Sequence, residues 1–281
     1  MGEEEEKQGP AGRQRTTLDV EAWRLSRGAP PARERNEVAV EAPVVIDVQD
    51  VGTYSLVCTP ADTRALAVGF AFTEGIIQGL DDIVLLSDCE EDPGLVRVQL
   101  ADSRNVRAPE RNLMVLTSCG ICGSRQAVEA FLDAAPQVGD SLRLSPEILR
   151  GILEQMQGRQ QLFARTGGTH AAAVFDAEGA IMAFAEDVGR HNALDKAIGT
   201  CLLADLSTAG CGVALSGRAS FELVAKGARA GIEIAAAVSA PTSLAVEGAE
   251  RSGMTLCGFV RGDRVTVYTH AHRIVLEPGT R

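Results

Sequence analysis

The chain contains 281 residues, 45% of them hydrophobic, and has a formal net charge of -11 at pH 7. This hydrophobic fraction allows a substantial core, which excludes a chain that is disordered throughout. The acidic excess argues against non-specific binding of nucleic acid or anionic lipid, because both need clustered cations.

Residues 1–35 are rich in Glu, Arg, Gly and Pro without periodicity and therefore predict a disordered leader. The leader begins with an acidic run and has no apolar h-region, and no stretch of about 18 consecutive apolar residues occurs in the chain. We therefore expect a cytoplasmic protein with neither a signal peptide nor a membrane-spanning helix.

Residues 36–112 predict a small α+β domain. Apolar runs at residues 44–46 and 54–57 predict strands, and the second run leads into a helix for which Thr59 is the expected N-cap. This helix is predicted to end at Gly75, and strands are expected at residues 83–86 and 95–100.

Residues 113–281 predict a larger α/β domain. A strand at residues 113–116 is expected before Cys119, a helix over residues 124–134 after it, and a further helix, with an apolar stripe, beginning at Ser145. Strands and helices then alternate, which is typical of a layered α/β domain. The strands are predicted at residues 171–175, 181–185, 212–215, 232–238, 255–260 and 264–269, and the helices at residues 192–203, 221–230 and 242–252.

A Cys-x-x-Cys pair, Cys119 and Cys122, lies between a strand of the buried type and a helix start. Neighbouring glycines allow the backbone to turn sharply and expose sulfur, and amides at a helix start favour the thiolate. One of the two cysteines is therefore expected to be nucleophilic near neutral pH. Four other cysteines lie in apolar runs and are expected to be buried: Cys58, Cys201, Cys211 and Cys257.

Structural zinc and a thioredoxin-like redox pair are alternative interpretations of Cys119 and Cys122. Zinc needs two further ligands, and the sequence has no second Cys-x-x-Cys, although His170 and His191 could complete a site. The region after the pair does not follow the thioredoxin pattern. Sulfur chemistry is favoured, and both alternatives stay open.

Three polar loops that contain glycine follow strands or turns, at residues 166–170, 186–192 and 216–220. Such loops converge at the carboxyl edge of a sheet, where backbone amides, Arg190 and Arg218 could bind a diphosphate. Each loop also has a purely structural interpretation, because Arg190 could pair with Glu186 or Asp187. No dinucleotide or phosphate-loop motif is present, so NAD and ATP are not indicated.

These motifs together resemble the FdhD family of formate dehydrogenase accessory sulfurtransferases. The resemblance rests on the Cys-x-x-Cys segment at residues 119–123 and on residues 167–172, 186–196, 216–218 and 239–245, and it covers about residues 38 to 270. It implies a homodimer of α/β chains, each with a smaller N-terminal α+β domain and a larger three-layer domain similar to cytidine deaminases. The zinc-deaminase pattern itself is absent, because Ser118 precedes Cys119 and three alanines follow His170.

The resemblance also implies a function. A cysteine desulfurase would supply persulfide sulfur to Cys119, and Cys122 would assist its transfer to bis-molybdopterin guanine dinucleotide, containing molybdenum or tungsten, for formate dehydrogenase. A non-catalytic chaperone for the same cofactor, with a structural or zinc-bound Cys pair, is the alternative. No metal of its own is expected. The expected cofactor-binding residues are Thr169, His170, Arg190, His191, Ser216, Gly217, Arg218, Phe259, Val260, Arg261, Gly262, Asp263 and Arg264.

Overall fold

The computed structural model describes residues 15–104, 106 and 136–276. Cys119, Cys122, the strand predicted at residues 113–116, the helix predicted at residues 124–134 and the proposed domain boundary all lie outside these residues. No helix within them is long and apolar enough to cross a membrane.

Part of the segment predicted as a disordered leader forms a β-hairpin. Strands β1 (Thr17–Arg24) and β2 (Ala32–Ala39) pair antiparallel over their whole length. For these residues the prediction of disorder is wrong: Leu18, Val20 and Ala22 of β1 alternate with polar residues at the period of a strand, a pattern that the charged composition obscures. The hairpin is fixed to the rest of the chain by Arg165, which contacts Glu37 and donates to Thr17 Oγ1 at 3.0 Å.

The predicted small α+β unit is a four-stranded sheet with one helix. In chain order its elements are β3 (Ala42–Val48), β4 (Gly52–Cys58), α1 (Thr63–Thr73), β5 (Ile83–Asp88) and β6 (Leu95–Leu100). The strand order is β4-β3-β6-β5, with β3 parallel to β6 and the other pairs antiparallel. Apolar side chains of β3, β4, β6 and α1 form its core.

The predicted N-cap of α1 is wrong. The helix begins after Asp62, which has φ 54° and makes no side-chain cap. Thr59 is instead buried, and its side-chain Oγ1, the atom a cap would use, accepts a hydrogen bond from the Val188 N–H at 3.2 Å. The hydroxyl group that local sequence assigns to the N-terminus of α1 therefore binds a residue that is distant in the sequence.

The larger unit is built on a six-stranded sheet. In chain order its elements are α2 (Pro146–Arg159), α3 (Gln161–Thr166), β7 (His170–Phe175), β8 (Ile181–Asp187), α4 (Arg190–Leu203), β9 (Gly212–Leu215), α5 (Phe221–Arg229), β10 (Ile234–Ala237), α6 (Ser243–Ser252), β11 (Thr255–Arg261) and β12 (Arg264–Val267). The strand order is β12-β11-β10-β9-β7-β8, and β9, β10 and β11 are parallel.

Helices cover both faces of this sheet, so the unit has three layers. One face packs on α4, α5 and α6, and the other packs on α2, through Leu149, Ile152, Leu153 and Met156. The apolar stripe predicted for α2 is confirmed except at Ile148, which is exposed. The α/β class is confirmed, and the likeness to cytidine deaminases stays a prediction.

Helices α1 and α4 join the two units at a very close crossing. A Cβ atom on Gly69 would lie 1.8 Å from the Asp195 carbonyl oxygen, and one on Gly199 would lie 1.9 Å from that of Ala65. Only glycine fits at either position. Phe72 and Leu202 pack against the cores of both units.

Candidate functional site

The glycine-bearing loops meet at the carboxyl edge of the six-stranded sheet. Ser216, directly after β9, accepts a hydrogen bond on Oγ from the Ala171 N–H at 2.8 Å. The Gly217 carbonyl accepts from the Ser239 N–H at 3.3 Å, and the Ser239 carbonyl accepts from the Phe259 N–H at 3.2 Å. Because β9, β10 and β11 are parallel, their ends and the start of the antiparallel strand β7 form one continuous edge.

A cavity of about 700 Å³ opens at this edge. Three residues expected to bind the cofactor line it: Thr169, His170 and Ser216. The other lining residues were not predicted from the sequence. They lie at the ends of α2 and α3, in the glycine loop after α3 and after the end of β10: Gln157, Gln160, Phe163, Ala164, Gly167, Gly168 and Val238. The volume lies within the range of small-molecule sites.

The cavity lining carries no formal charge near neutral pH. Its titratable residue is His170, whose pKa is lowered, first by burial and then by the nearby Arg190 guanidinium, against the opposing effect of Asp187. A Cβ atom on Gly217 would approach His170 Nδ1 to 3.2 Å, so glycine leaves room for the imidazole. The cavity is therefore suited to hydrogen bonding with an uncharged part of a ligand rather than to binding phosphate.

Gln160 places an amide in this cavity. The residue is 7% exposed, and its side chain makes no hydrogen bond to any other described residue. This amide is therefore available for hydrogen bonding to a ligand in the cavity. No local sequence signal marks Gln160, because its position depends on the break between α2 and α3.

Arg190, His191 and Arg218 do not line the cavity. His191 is buried at the start of α4, with Nε2 3.3 Å from Ser220 Oγ and 3.4 Å from Glu222 Oε2. Burial, followed by the charges of Arg190, Lys226 and His170, lowers the pKa of His191 to about 3. Arg218 is exposed. The predicted phosphate-binding cations therefore lie beside the cavity and not in it.

The segment expected to bind the pterin cofactor, residues 259–264, forms the end of β11 and its turn into β12. Phe259 has φ 53°, a left-handed conformation that is strained for a bulky residue, and the pairing of β11 with β12 shifts register here. The guanidinium carbons of Arg264 and Arg261 lie 4.7 Å and 5.9 Å from its ring centroid. Val260 is buried in the core beside α2, while Gly262, with φ 54°, and Asp263 belong to the turn.

Comparison with known proteins identifies the family. The model of the FdhD/NarQ family matches residues 39–275. The chain belongs to the FdhD/NarQ family. The match includes both sheets and the whole carboxyl edge described above, and it begins at the last residue of β2.

Two relatives of this FdhD/NarQ chain are named "Sulfur carrier protein FdhD". The Bordetella bronchiseptica protein is 41% identical over 86% of this chain and 89% of its own length, and the Mycobacterium tuberculosis protein is 41% identical over 84% and 91%. A Desulfotalea psychrophila crystal structure described as a formate dehydrogenase accessory protein superposes with a TM-score of 0.75 at 25% identity. It covers 93% of this chain and 100% of its own.

The Cys-x-x-Cys pair of this FdhD/NarQ chain lies outside the described residues, so the structure gives no geometry for Cys119 or Cys122. Four other cysteines are buried as predicted, and burial raises the pKa of their thiols, to about 12 for Cys58, Cys201 and Cys257. Within residues 15–104, 106 and 136–276, no three His, Cys, Asp or Glu side chains are grouped so that they could hold a metal ion.

Proposed function

We propose that this chain is a sulfurtransferase that carries persulfide sulfur on Cys119 and delivers it to bis-molybdopterin guanine dinucleotide for formate dehydrogenase. The observation that carries the proposal is the likeness to proteins named sulfur carriers, at 41% identity over 86% of the chain. The description of the Desulfotalea psychrophila structure supports formate dehydrogenase as the client. The chain would work in the cytoplasm, as a homodimer supplied by a cysteine desulfurase.

The proposed sulfur chemistry uses both cysteines of the pair. The Cys119 thiolate attacks the terminal sulfur of the donor's persulfide, the donor's S–S bond breaks, and the donor leaves as a thiolate. The Cys122 thiolate then attacks the inner sulfur of the Cys119 persulfide. A Cys119–Cys122 disulfide forms, the outer sulfur leaves as hydrosulfide for the acceptor, and a thiol reductant restores the pair.

The carboxyl edge of the six-stranded sheet is the proposed binding site for the acceptor. A bis-dinucleotide is larger than one cavity of about 700 Å³, so the cavity would hold one uncharged part of it. Gln160 and His170 would donate and accept hydrogen bonds there. The exposed Arg218, together with Arg261 and Arg264, would bind phosphate outside the cavity.

Intact mass measurement tests the sulfur-carrier proposal. After incubation with a cysteine desulfurase and cysteine, the protein should gain sulfur that a thiol reductant removes, and peptide mapping should place it on Cys119. Cys119→Ala should abolish both the mass gain and the maturation of formate dehydrogenase in a strain lacking the native protein. Cys89→Ala, at a partly exposed cysteine in the loop after β5, is the matched control and should behave as wild type. Full maturation by Cys119→Ala would show that the proposal is wrong.

A further inference from the structure

Helix α3 forms part of the cavity wall but cannot be held there by its own stability. It has six residues, none of them buried, and its N-cap residue, Gln160, makes no side-chain cap. A helix this short is unstable in water without tertiary contacts. Its position must therefore be fixed by other parts of the chain.

Glu186, near the end of β8, supplies the missing cap from a distant part of the sequence. Its Oε2 accepts a hydrogen bond from the Leu162 N–H at 2.9 Å, and its Oε1 accepts one from the Phe163 N–H at 2.8 Å. These two amides belong to the first turn of α3, where N–H groups have no partner inside the helix. A negative charge at this end is also favourable to the helix dipole.

The same carboxylate fixes the loop that follows α3. Glu186 Oε1 also accepts a hydrogen bond from Thr169 Oγ1 at 3.0 Å. One side chain thus holds the beginning of α3 and the end of the glycine loop after it. Half of the cavity lining lies on this stretch: Phe163, Ala164, Gly167, Gly168 and Thr169.

The adjacent carboxylate, on Asp187, has a different role. Successive side chains of a strand point to opposite faces, so Asp187 points away from α3. Its oxygens accept from the Thr59 and Gly189 amides, Asn192 and Lys196. Asp187 therefore joins the two α/β units, while Glu186 serves the cavity.

We infer that Glu186 is a positioning residue that holds the α3 wall of the cavity in its ligand-binding geometry. It acts through α3 and Thr169 and does not line the cavity. The inference rests on the proposed function only in assuming that the cavity binds part of a nucleotide cofactor. Glu186→Gln keeps the shape of the side chain but replaces one acceptor oxygen with a donor, so at least one amide of α3 loses its partner.

Hydrogen exchange and calorimetry on the full-length protein test this role, with GDP as the probe. In Glu186→Gln, exchange of the Leu162 and Phe163 amides should rise about tenfold, as expected when a helix cap is lost, while β9 and β10 amides keep their protection. GDP affinity should fall by about tenfold at a temperature where both proteins are folded. Glu154→Gln, at an exposed position of α2, removes a charge without touching α3 and should change neither quantity.

The outcomes separate this inference from the proposed function. Unchanged exchange at residues 161–169 in Glu186→Gln, or faster exchange with unchanged GDP affinity, would overturn the positioning role. If wild-type protein does not bind GDP, the nucleotide part of the proposed function is wrong, and the exchange result alone decides whether Glu186 fixes the wall. Should Glu186→Gln fail to fold, Thr169→Val, which removes a single one of the three hydrogen bonds, should still raise exchange at residues 166–169.

Discussion

Apart from the partly exposed Cys89, the cysteines of this chain fall into two groups with different expected reactivity. Burial raises the pKa of the thiols of Cys58, Cys201 and Cys257 to about 12, so almost none of these is a thiolate near neutral pH. We predict fast alkylation of Cys119 or Cys122 in reduced, native protein, slow labelling of the buried cysteines, and less than one zinc per chain. Mass-resolved alkylation and metal analysis measure these quantities. One tightly held zinc per chain, with slow labelling of both Cys119 and Cys122, would support the cofactor-chaperone alternative instead.

From the lowered pKa of His191 we predict that the stability of the protein depends on pH. The folded-state pKa of His191 is about 3, below the ordinary value of 6.5, because it is buried near Arg190 and Lys226. Between these values the unfolded chain binds a proton that the folded chain does not, so stability should fall as pH falls from about 6.5 towards 3. In His191→Gln the loss of unfolding free energy between pH 7 and pH 5 should be smaller by about 1–2 kcal/mol.

Urea denaturation at the two pH values measures this difference. An equal loss in wild type and variant would mean that His191 is not held neutral by its surroundings.

At the scale of elements, the crossing of α1 and α4 depends on glycine. Gly69→Ala would place a Cβ atom 1.8 Å from the Asp195 carbonyl oxygen, which forces the two helices apart. We expect a loss of about 3 kcal/mol or more in unfolding free energy, at or above the upper end of the usual overpacking range. Gly151→Ala in α2 is the control: its added Cβ meets nothing within 4 Å, and it should stabilise the protein by about 0.5–1 kcal/mol. Equal effects of the two substitutions would contradict this account of the crossing.

Elements with strong periodicity were predictable from sequence. Strands β6 (Leu95–Leu100) and β9 (Gly212–Leu215) have the predicted bounds, because continuous or alternating apolar runs are bordered there by turn residues. The β1–β2 hairpin was not predicted, since five consecutive polar residues of β2, at positions 33–37, conceal the period of a strand. The Thr59 cap was wrong because the Thr59 Oγ1 accepts a hydrogen bond from the Val188 N–H, 129 positions away in the sequence.

The candidate site was predictable only where a loop directly follows or precedes a strand. Thr169, His170 and Ser216 meet this condition, and the rule that loops converge at the carboxyl edge places them together. Gln160 and Phe163 enter the cavity because the chain breaks between α2 and α3 and Glu186 holds α3 in place. These are tertiary contacts, and no spacing within α2 or α3 encodes them.

At the scale of the whole molecule, buried charged groups of the larger unit bind Thr59 and Glu74 of the smaller unit. Lys196 Nζ lies 2.6 Å from Asp187 Oδ2, with both side chains fully buried, and it also donates to the Thr59 carbonyl at 2.8 Å. Lys226 on α5 lies 2.8 Å from Asp195 on α4 and 3.0 Å from Glu74 at the end of α1. Because the units cannot separate without breaking the contacts of these buried charges with Thr59 and Glu74 and exposing the shared core around Phe72, we expect the units to fold together.

We therefore predict a single cooperative unfolding transition, with equal calorimetric and van't Hoff enthalpies. Lys196→Met leaves the Asp187 charge buried and unpaired and should lower the unfolding free energy by about 3–5 kcal/mol, in one transition that includes both units. Arg64→Met, which breaks an exposed pair with Asp88, should cost about 1 kcal/mol or less. Scanning calorimetry, combined with hydrogen exchange in β3 and β9, distinguishes the possibilities. Two separate transitions, or a Lys196→Met effect confined to one sheet, would show that the buried pairs do not couple the units.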